Sequence, residues 1–210
     1  FIPTFAPGFI SIDKSHAFVV EGSRVEYFYI SVNRAPQSFV NVSFFSRESL
    51  VLISPAYYSF RESNWESPQQ FMLQAIDNDI EDTEENRSDF VFGHVSTDDL
   101  LFNDASVGNI TVKIRDNDQS AIVVQNVFQT HYLMSPKLAL DMSLTEGPST
   151  TASYLLSLHS EPRTNVTVRI TATAALSVSP MSVIFTESNW NLEQLILLSI
   201  EDDSYDDGSR

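Results

Sequence analysis

The chain has 210 residues, 28 acidic against 12 basic, no cysteine and a formal net charge of −16. That charge excludes nucleic acid as a partner, since affinity there rests on Lys and Arg neutralising phosphates. Anionic membrane surfaces are excluded on the same ground, and cations are the natural partners of such a field. Apolar runs such as Leu195 to Leu198 fall far short of the roughly 20 residues that cross a bilayer. A chain without a signal peptide or an initiating Met reads as a processed product or a piece of something longer.

Strand signals dominate the first half. Seven strands are predicted, at about 17–20, 25–33, 39–45, 50–61 (interrupted at Ser54-Pro55), 70–76, 88–95 and 109–115. Glu21-Gly22-Ser23, Arg34-Ala35-Pro36 and the acidic loop from Asp77 provide turns. The last strand is the clearest, with Ile110, Val112 and Ile114 alternating against Thr111, Lys113 and Arg115. Val25 to Asn33 and Gln194 to Ile200 are apolar on both parities, as in central strands of a sandwich. No window of 11 or more residues holds a helical period. The second half opens near Ala121, about five residues beyond the strand ending at Arg115. A linker that short predicts a stiff connection. In this half Val166, Val168 and Ile170 alternate with Thr167, Arg169 and Thr171, and Ser135 to Leu144 also reads as a strand. Residues 128–137 read as an extra loop.

The sequence then repeats itself. Glu21-Gly22, Ser54-Pro55, Phe60 and Ser63-Asn64-Trp65 recur as Glu146-Gly147, Ser179-Pro180, Phe185 and Ser188-Asn189-Trp190, at an offset of 125 residues. Asn41-Val42-Ser43 answers Asn165-Val166-Thr167. A fixed period of this size means tandem modules, here 1–118 and 119–210, each large enough to bury a core without disulfides. The fold class is all-β, tandem immunoglobulin-like antiparallel sandwiches. The second copy stops soon after its acidic burst, before two strands that the first copy has. The natural polypeptide is therefore expected to continue beyond Arg210, or another chain to donate those strands.

In an antiparallel sandwich the odd-numbered strands run the same way. Glu21, the acidic loop Asp77 to Glu85, and Asp116-Asn117-Asp118 would then meet at one end of the first module. Clustered carboxylates raise one another's pKa unless a cation neutralises them. Oxygen donors of this kind suit Ca²⁺, whereas zinc would want His or Cys. The competing view is a solvated acidic surface. Trp65 and Trp190 read as core plugs rather than ligand platforms. Asn41, Asn86, Asn109 and Asn165 sit in N-x-S/T sequons, glycosylation acceptors in a secreted chain. The scattered His residues accompany no nucleophile motif, so the chain reads as non-catalytic.

These residues resemble the Calx-beta repeat, a calcium-binding sandwich of sodium–calcium exchangers and large surface adhesion proteins. The features that carry the resemblance are Glu21-Gly22, Phe60…Asn64-Trp65…Gln69, Asp77-Asn78-Asp79, then Asp98 and Phe102, and the closing strand running into Asp116-Asn117-Asp118. The resemblance implies Glu21, Asp77, Asp79, Asp82, Glu85, Asp116 and Asp118 as Ca²⁺ ligands in the first module. In the second it implies Glu146, Asp202, Asp203 and Asp206. Asn78 replaces a carboxylate common in the family, and Glu201 stands where the first copy has Asp77. The function these readings imply is a repeat segment of a large extracellular surface, adhesion or filament protein, ciliary or filament-associated settings included. In it, Ca²⁺ at module junctions would rigidify the array, with adjacent repeats as partners and other surface proteins or glycans beyond them. Two other classes stand beside it: a calcium-sensing regulatory domain of a membrane transporter, and a carbohydrate-binding module.

Overall fold

The structure is a computed structural model and describes residues 6–82, 87–125, 130–133, 151–172 and 176–200. These residues form sixteen strands and no helix, in two compact units. The protein is an all-β chain of tandem immunoglobulin-like sandwiches.

The first unit carries β1 (Ile10–Ile12), β2 (His16–Val20), β3 (Val25–Val32), β4 (Val40–Ser46), β5 (Val51–Ser54), β6 (Tyr57–Phe60), β7 (Gln69–Ala75), β8 (Arg87–Thr97) and β9 (Ile110–Arg115). One sheet has the order β1-β3-β7-β5 and the other β2-β9-β8-β4-β6. Their inner faces supply alternate residues to one core. Phe28, Phe44 and Phe71 meet there with ring centroids 4.9 to 5.3 Å apart, two pairs edge-on and one stacked. Phe60, Phe102, Ile110 and Val112 are fully buried. Each such side chain stabilises by roughly 1.5–3 kcal/mol through removal from water.

Three features differ from the sequence reading. The strand expected over 50–61 is two strands: β5 pairs with β7, and β6 pairs with β4 in the opposite sheet. The change of sheet falls at Ser54-Pro55, a cis peptide bond, as is Ser179-Pro180. The second difference is β1, three residues long, which joins the sheet opposite to β2. Between them Asp13 Oδ1 accepts from the Tyr29 amide at 2.8 Å and Lys14 pairs with Glu26 at 2.9 Å, so the chain crosses from one sheet to the other. The third is that β2 and β9 run parallel, with Val20 opposite Arg115, inside an otherwise antiparallel unit.

The second unit carries β10 (Ile122–Gln125), β11 (Thr130–Leu133), β12 (Thr151–Leu158), β13 (Val166–Arg169), β14 (Leu176–Ser179), β15 (Ser182–Phe185) and β16 (Gln194–Ile200). Its sheets have the orders β11-β10-β12-β16-β14 and β13-β15. Part of the stretch read as an extra loop, 128–137, is a strand: β11 forms an antiparallel pair with β10. The strand expected at Ser135 to Leu144 lies outside the described residues. Ile196, Leu198 and Ile200 are buried, whereas Leu195 and Leu197 are about half exposed. Tyr27 and Tyr29 on β3 are likewise exposed. Apolar residues on both parities thus mark apolar outer faces here, not burial on both sides.

The repeated S-N-W segment has one local structure in both units. Asn64 Oδ1 accepts from the Arg61 amide at 2.7 Å, and its Nδ2 donates to the Ser59 carbonyl at 3.1 Å. Asn189 does the same with Thr186 and Ile184, at 2.6 and 3.3 Å. The amide side chain closes the turn after β6 and β15, and Trp65 and Trp190 pack, partly buried, against their cores. The register corrects one correspondence. Asn41 lies opposite Ser59, but the residue opposite Ile184 is Thr167, so Asn165 matches Phe39 rather than Asn41. A shift of two residues leaves every side chain on its own face, so the alternation pattern could not reveal it.

Candidate functional site

The site grows from the ends of strands. Because β2 and β9 are parallel and in register at Val20 and Arg115, the next residues, Glu21 and Asp116, leave the sheet at the same level. The Glu21 amide donates to the Arg115 carbonyl at 3.1 Å, which fixes the pair. β8 runs against β9 and places its first residue, Arg87, opposite Ile114, beside the same edge. In the facing sheet β3 begins opposite the end of β7, with Val25 paired to Gln74. That pairing brings the β2–β3 turn next to Asp77. Gly22 sits in this turn at φ +62°, where an added Cβ would lie 2.9 Å from Asp77 Oδ2 and 3.0 Å from Asn117 Nδ2.

Glu21 is fully buried, which a carboxylate tolerates only with compensating partners. Its Oε1 accepts from the Arg87 guanidinium and, at 3.4 Å, from Asn78 Nδ2. Its Oε2 has no hydrogen-bond donor among the described residues. Arg87 Nε also pairs with Asp82 Oδ2 at 2.7 Å, and the Asp82 amide donates to Asp116 Oδ2. Glu21, Asp116 and Asp118 each offer an oxygen within 4.8 Å of the others. The donors are all hard oxygens, with no nitrogen or sulfur ligand among them. A hard cation taking 6–8 oxygens fits that set, and zinc does not.

Of the residues singled out by sequence, the structure thus brings Glu21, Asp116 and Asp118 together. Asp77 is exposed at the rim beside Gly22, and Asp82 belongs to the Arg87 pair. Asp79 follows in the β7–β8 connection without joining the three-carboxylate group. Glu85, Glu146, Asp202, Asp203 and Asp206 lie outside the described residues. Among the sequons, Asn41 sits on β4, Asn109 and Asn165 are exposed just before β9 and β13, and Asn86 lies outside the described residues.

Sequence reasoning missed Arg87, which follows directly on the acidic run and reads as loop. It also missed two buried carboxylates with a structural role. Burial alone would push the Asp89 carboxyl up. The Ser46 hydroxyl and the amides of Glu48, Leu50 and Phe90 reverse that and hold it below the usual carboxylate value. Asp99 is also lowered: burial opposes ionisation, but the amides of Ser38, Leu101 and Gln37 outweigh it. The signal for Asp89 was available, since it shares the inward parity of β8 with Val91.

No family model matches the chain, and no curated protein matches it. Among solved structures, similar ones are the apo form of the Calx CBD1 domain and CBD12 of CALX1.2. The first is 16% identical over 53% of this chain and 98% of that one, with a TM-score of 0.40. The second is 16% identical over 94% and 76%, with a TM-score of 0.39. The D0-D1 domain of intimin matches at 10% identity over 93% and 91%, with a TM-score of 0.30. At such identities and scores the chemistry of the site rests on its own residues.

Proposed function

We propose that this chain is a non-catalytic, calcium-binding repeat segment of a large extracellular surface, adhesion or filament protein. Glu21, Asp116 and Asp118 hold the ion, with Asp77, Asp82 and the carbonyl oxygens of the same loops as further donors. The observation that supports this most is Glu21, a fully buried carboxylate with one oxygen lacking any donor among the described residues. Among the described residues Arg87 pairs with both Glu21 and Asp82, and a divalent cation would complete the neutralisation that it begins. Asp116 to Asp118 open the short segment between β9 and β10. An ion held by it removes conformational freedom from the connector, which is how a string of modules stiffens. Other repeats of the same polypeptide are then its first partners, with surface proteins or glycans as further ones.

Titration calorimetry with Ca²⁺ tests the reading, together with melting in Ca²⁺ and in chelator. Saturating ion at about 100 times Kd should add about 2.7 kcal/mol of stability. Glu21→Gln should remove both the heat and the shift. Absence of binding up to millimolar Ca²⁺, with no chelator effect on melting, refutes it.

A further inference from the structure

The outer face of the β2-β9-β8-β4-β6 sheet carries a depression of about 530 Å³ that the calcium reading leaves unused. Its floor is Asn41, the second residue of β4, flanked in register by Ser59 on β6 and Ser96 on β8. Both neighbours are small hydroxyl residues, so the ground beside the Asn41 amide is open and polar. Two aromatic side chains wall it: Phe39, half exposed, and Tyr57, about two thirds exposed. The Arg61 guanidinium stacks on the Phe39 ring, 4.6 Å from its centroid, and steadies it. Phe39 stands just before β4, two residues from Asn41, and lines the same depression. Ser43, the hydroxyl of the N-x-S sequon, lines it too.

Exposed aromatic rings beside small polar groups are the surroundings a sugar ring requires. Its C–H face packs on the ring and its hydroxyls exchange hydrogen bonds with Ser, Asn and Arg. The point of covalent attachment lies inside the depression, which selects the occupant. We infer that Asn41 is N-glycosylated and that the first sugar of its own glycan seats against Phe39 and Tyr57. The transfer takes place on the nascent chain from a polyprenyl-pyrophosphate oligosaccharide donor. A bond forms between the anomeric carbon and Asn41 Nδ2 and the sugar–phosphate bond breaks. The pyrophosphate leaves with the electron pair and the amide proton passes to the transferase. On folding, the sugar covers an apolar patch that would otherwise face water. Two residues before Asn165 stands Arg163, where Phe39 stands before Asn41.

The natural occurrence of this modification rests on the extracellular reading. The test separates the two by directing the full chain into the secretory pathway of cultured human cells with an added leader. Glycopeptide mass spectrometry should find Asn41 occupied. After trimming to one N-acetylglucosamine, melting is followed by Trp65 fluorescence in a Trp190→Phe background and compared with the bacterial, sugar-free chain. The sugar should raise the melting temperature by about 4 °C, and Phe39→Ala, which keeps the sequon, should abolish that difference. Three results overturn the inference. One is an empty Asn41 in the secreted chain, with or without sugar at Asn109 and Asn165. Another is a sugar-dependent shift unchanged by Phe39→Ala. The third is free chitobiose moving the amide resonances of Phe39 and Tyr57 in the bacterial chain while Asn41 stays empty in the secreted one, which would make this a seat for foreign saccharide. Calcium titration of the same samples reports on the calcium site independently.

Discussion

Asp89→Asn isolates the cost of breaking one buried carboxylate knot. Asp89 is fully buried. Its Oδ1 accepts from the amides of Arg47, Glu48 and Phe90 at 3.1, 3.0 and 2.7 Å, and its Oδ2 from the Ser46 hydroxyl and the Leu50 amide, the latter at 3.1 Å. The residue thereby holds the whole β4–β5 connection against β8. An asparagine keeps the shape but turns one acceptor oxygen into a donor. With its carbonyl toward the three amides, its NH₂ can donate to the Ser46 hydroxyl, yet it leaves the Leu50 amide facing another donor. Hydrogen bonds to a charged acceptor are worth about 1.5–3 kcal/mol and neutral ones about 1, while an orphaned buried donor costs about 1–3. Because such bonds act as one network, they do not simply add. A loss of about 3 kcal/mol is expected, which for a unit of this size lowers its melting temperature by about 12 °C. Each unit holds one tryptophan, so in a Trp190→Phe background Trp65 fluorescence follows the first unit alone. A melting temperature within about 2 °C of the parent would refute the network reading.

The same residue predicts a pH dependence. Its folded pKa lies below the unfolded value near 4, as do those of Asp99 and of Glu26, the last chiefly through its bond from Lys14. The stability these groups contribute is therefore present above that unfolded value and lost as pH falls through the folded one. In urea titrations from pH 7 to 3, the gap between parent and Asp89→Asn should be constant at neutral pH and narrow below about pH 4. A gap that widens on acidification would contradict the assignment. Gly22→Ala forces a Cβ into left-handed backbone beside Asp77, for a loss of about 1–2 kcal/mol, while Gly22→Asn should cost less because Asn visits that region. Equal melting temperatures for the two variants would show that backbone conformation is not what Gly22 supplies.

Much of the fold can be read from residue order because its signals are local. β9 declares itself through Ile110, Val112 and Ile114, all of which the structure buries. The doubled S-N-W segment announces two copies, and Asn64 and Asn189 give the chemical reason: each closes its turn through its own amide. What escaped reading is non-local. Ser54-Pro55 marks an interruption, but which sheet each half joins depends on partners far along the chain. β1 is too short for its three residues to show a period. Tyr27, Tyr29, Leu195 and Leu197 look like core residues by composition and are exposed.

The carboxylate site was legible for the same reason and only to the same depth. Strand direction places Glu21 and Asp116 at one end of the unit, but not next to each other. A slip of two residues between β2 and β9 would keep Ala17, Val19, Val112 and Ile114 facing inward. It would also carry Glu21 about 7 Å from Asp116 and scatter the oxygens that a cation needs. Core packing alone therefore does not specify the site. What does is polar: the Glu21 amide bonded to the Arg115 carbonyl, and Arg87 reaching from β8 to Glu21 and Asp82. Both depend on a parallel pairing that no alternation of residues encodes. The register of one strand pair, more than the number of acidic residues, is what brings the oxygens of Glu21 and Asp116 together at this end of the sandwich.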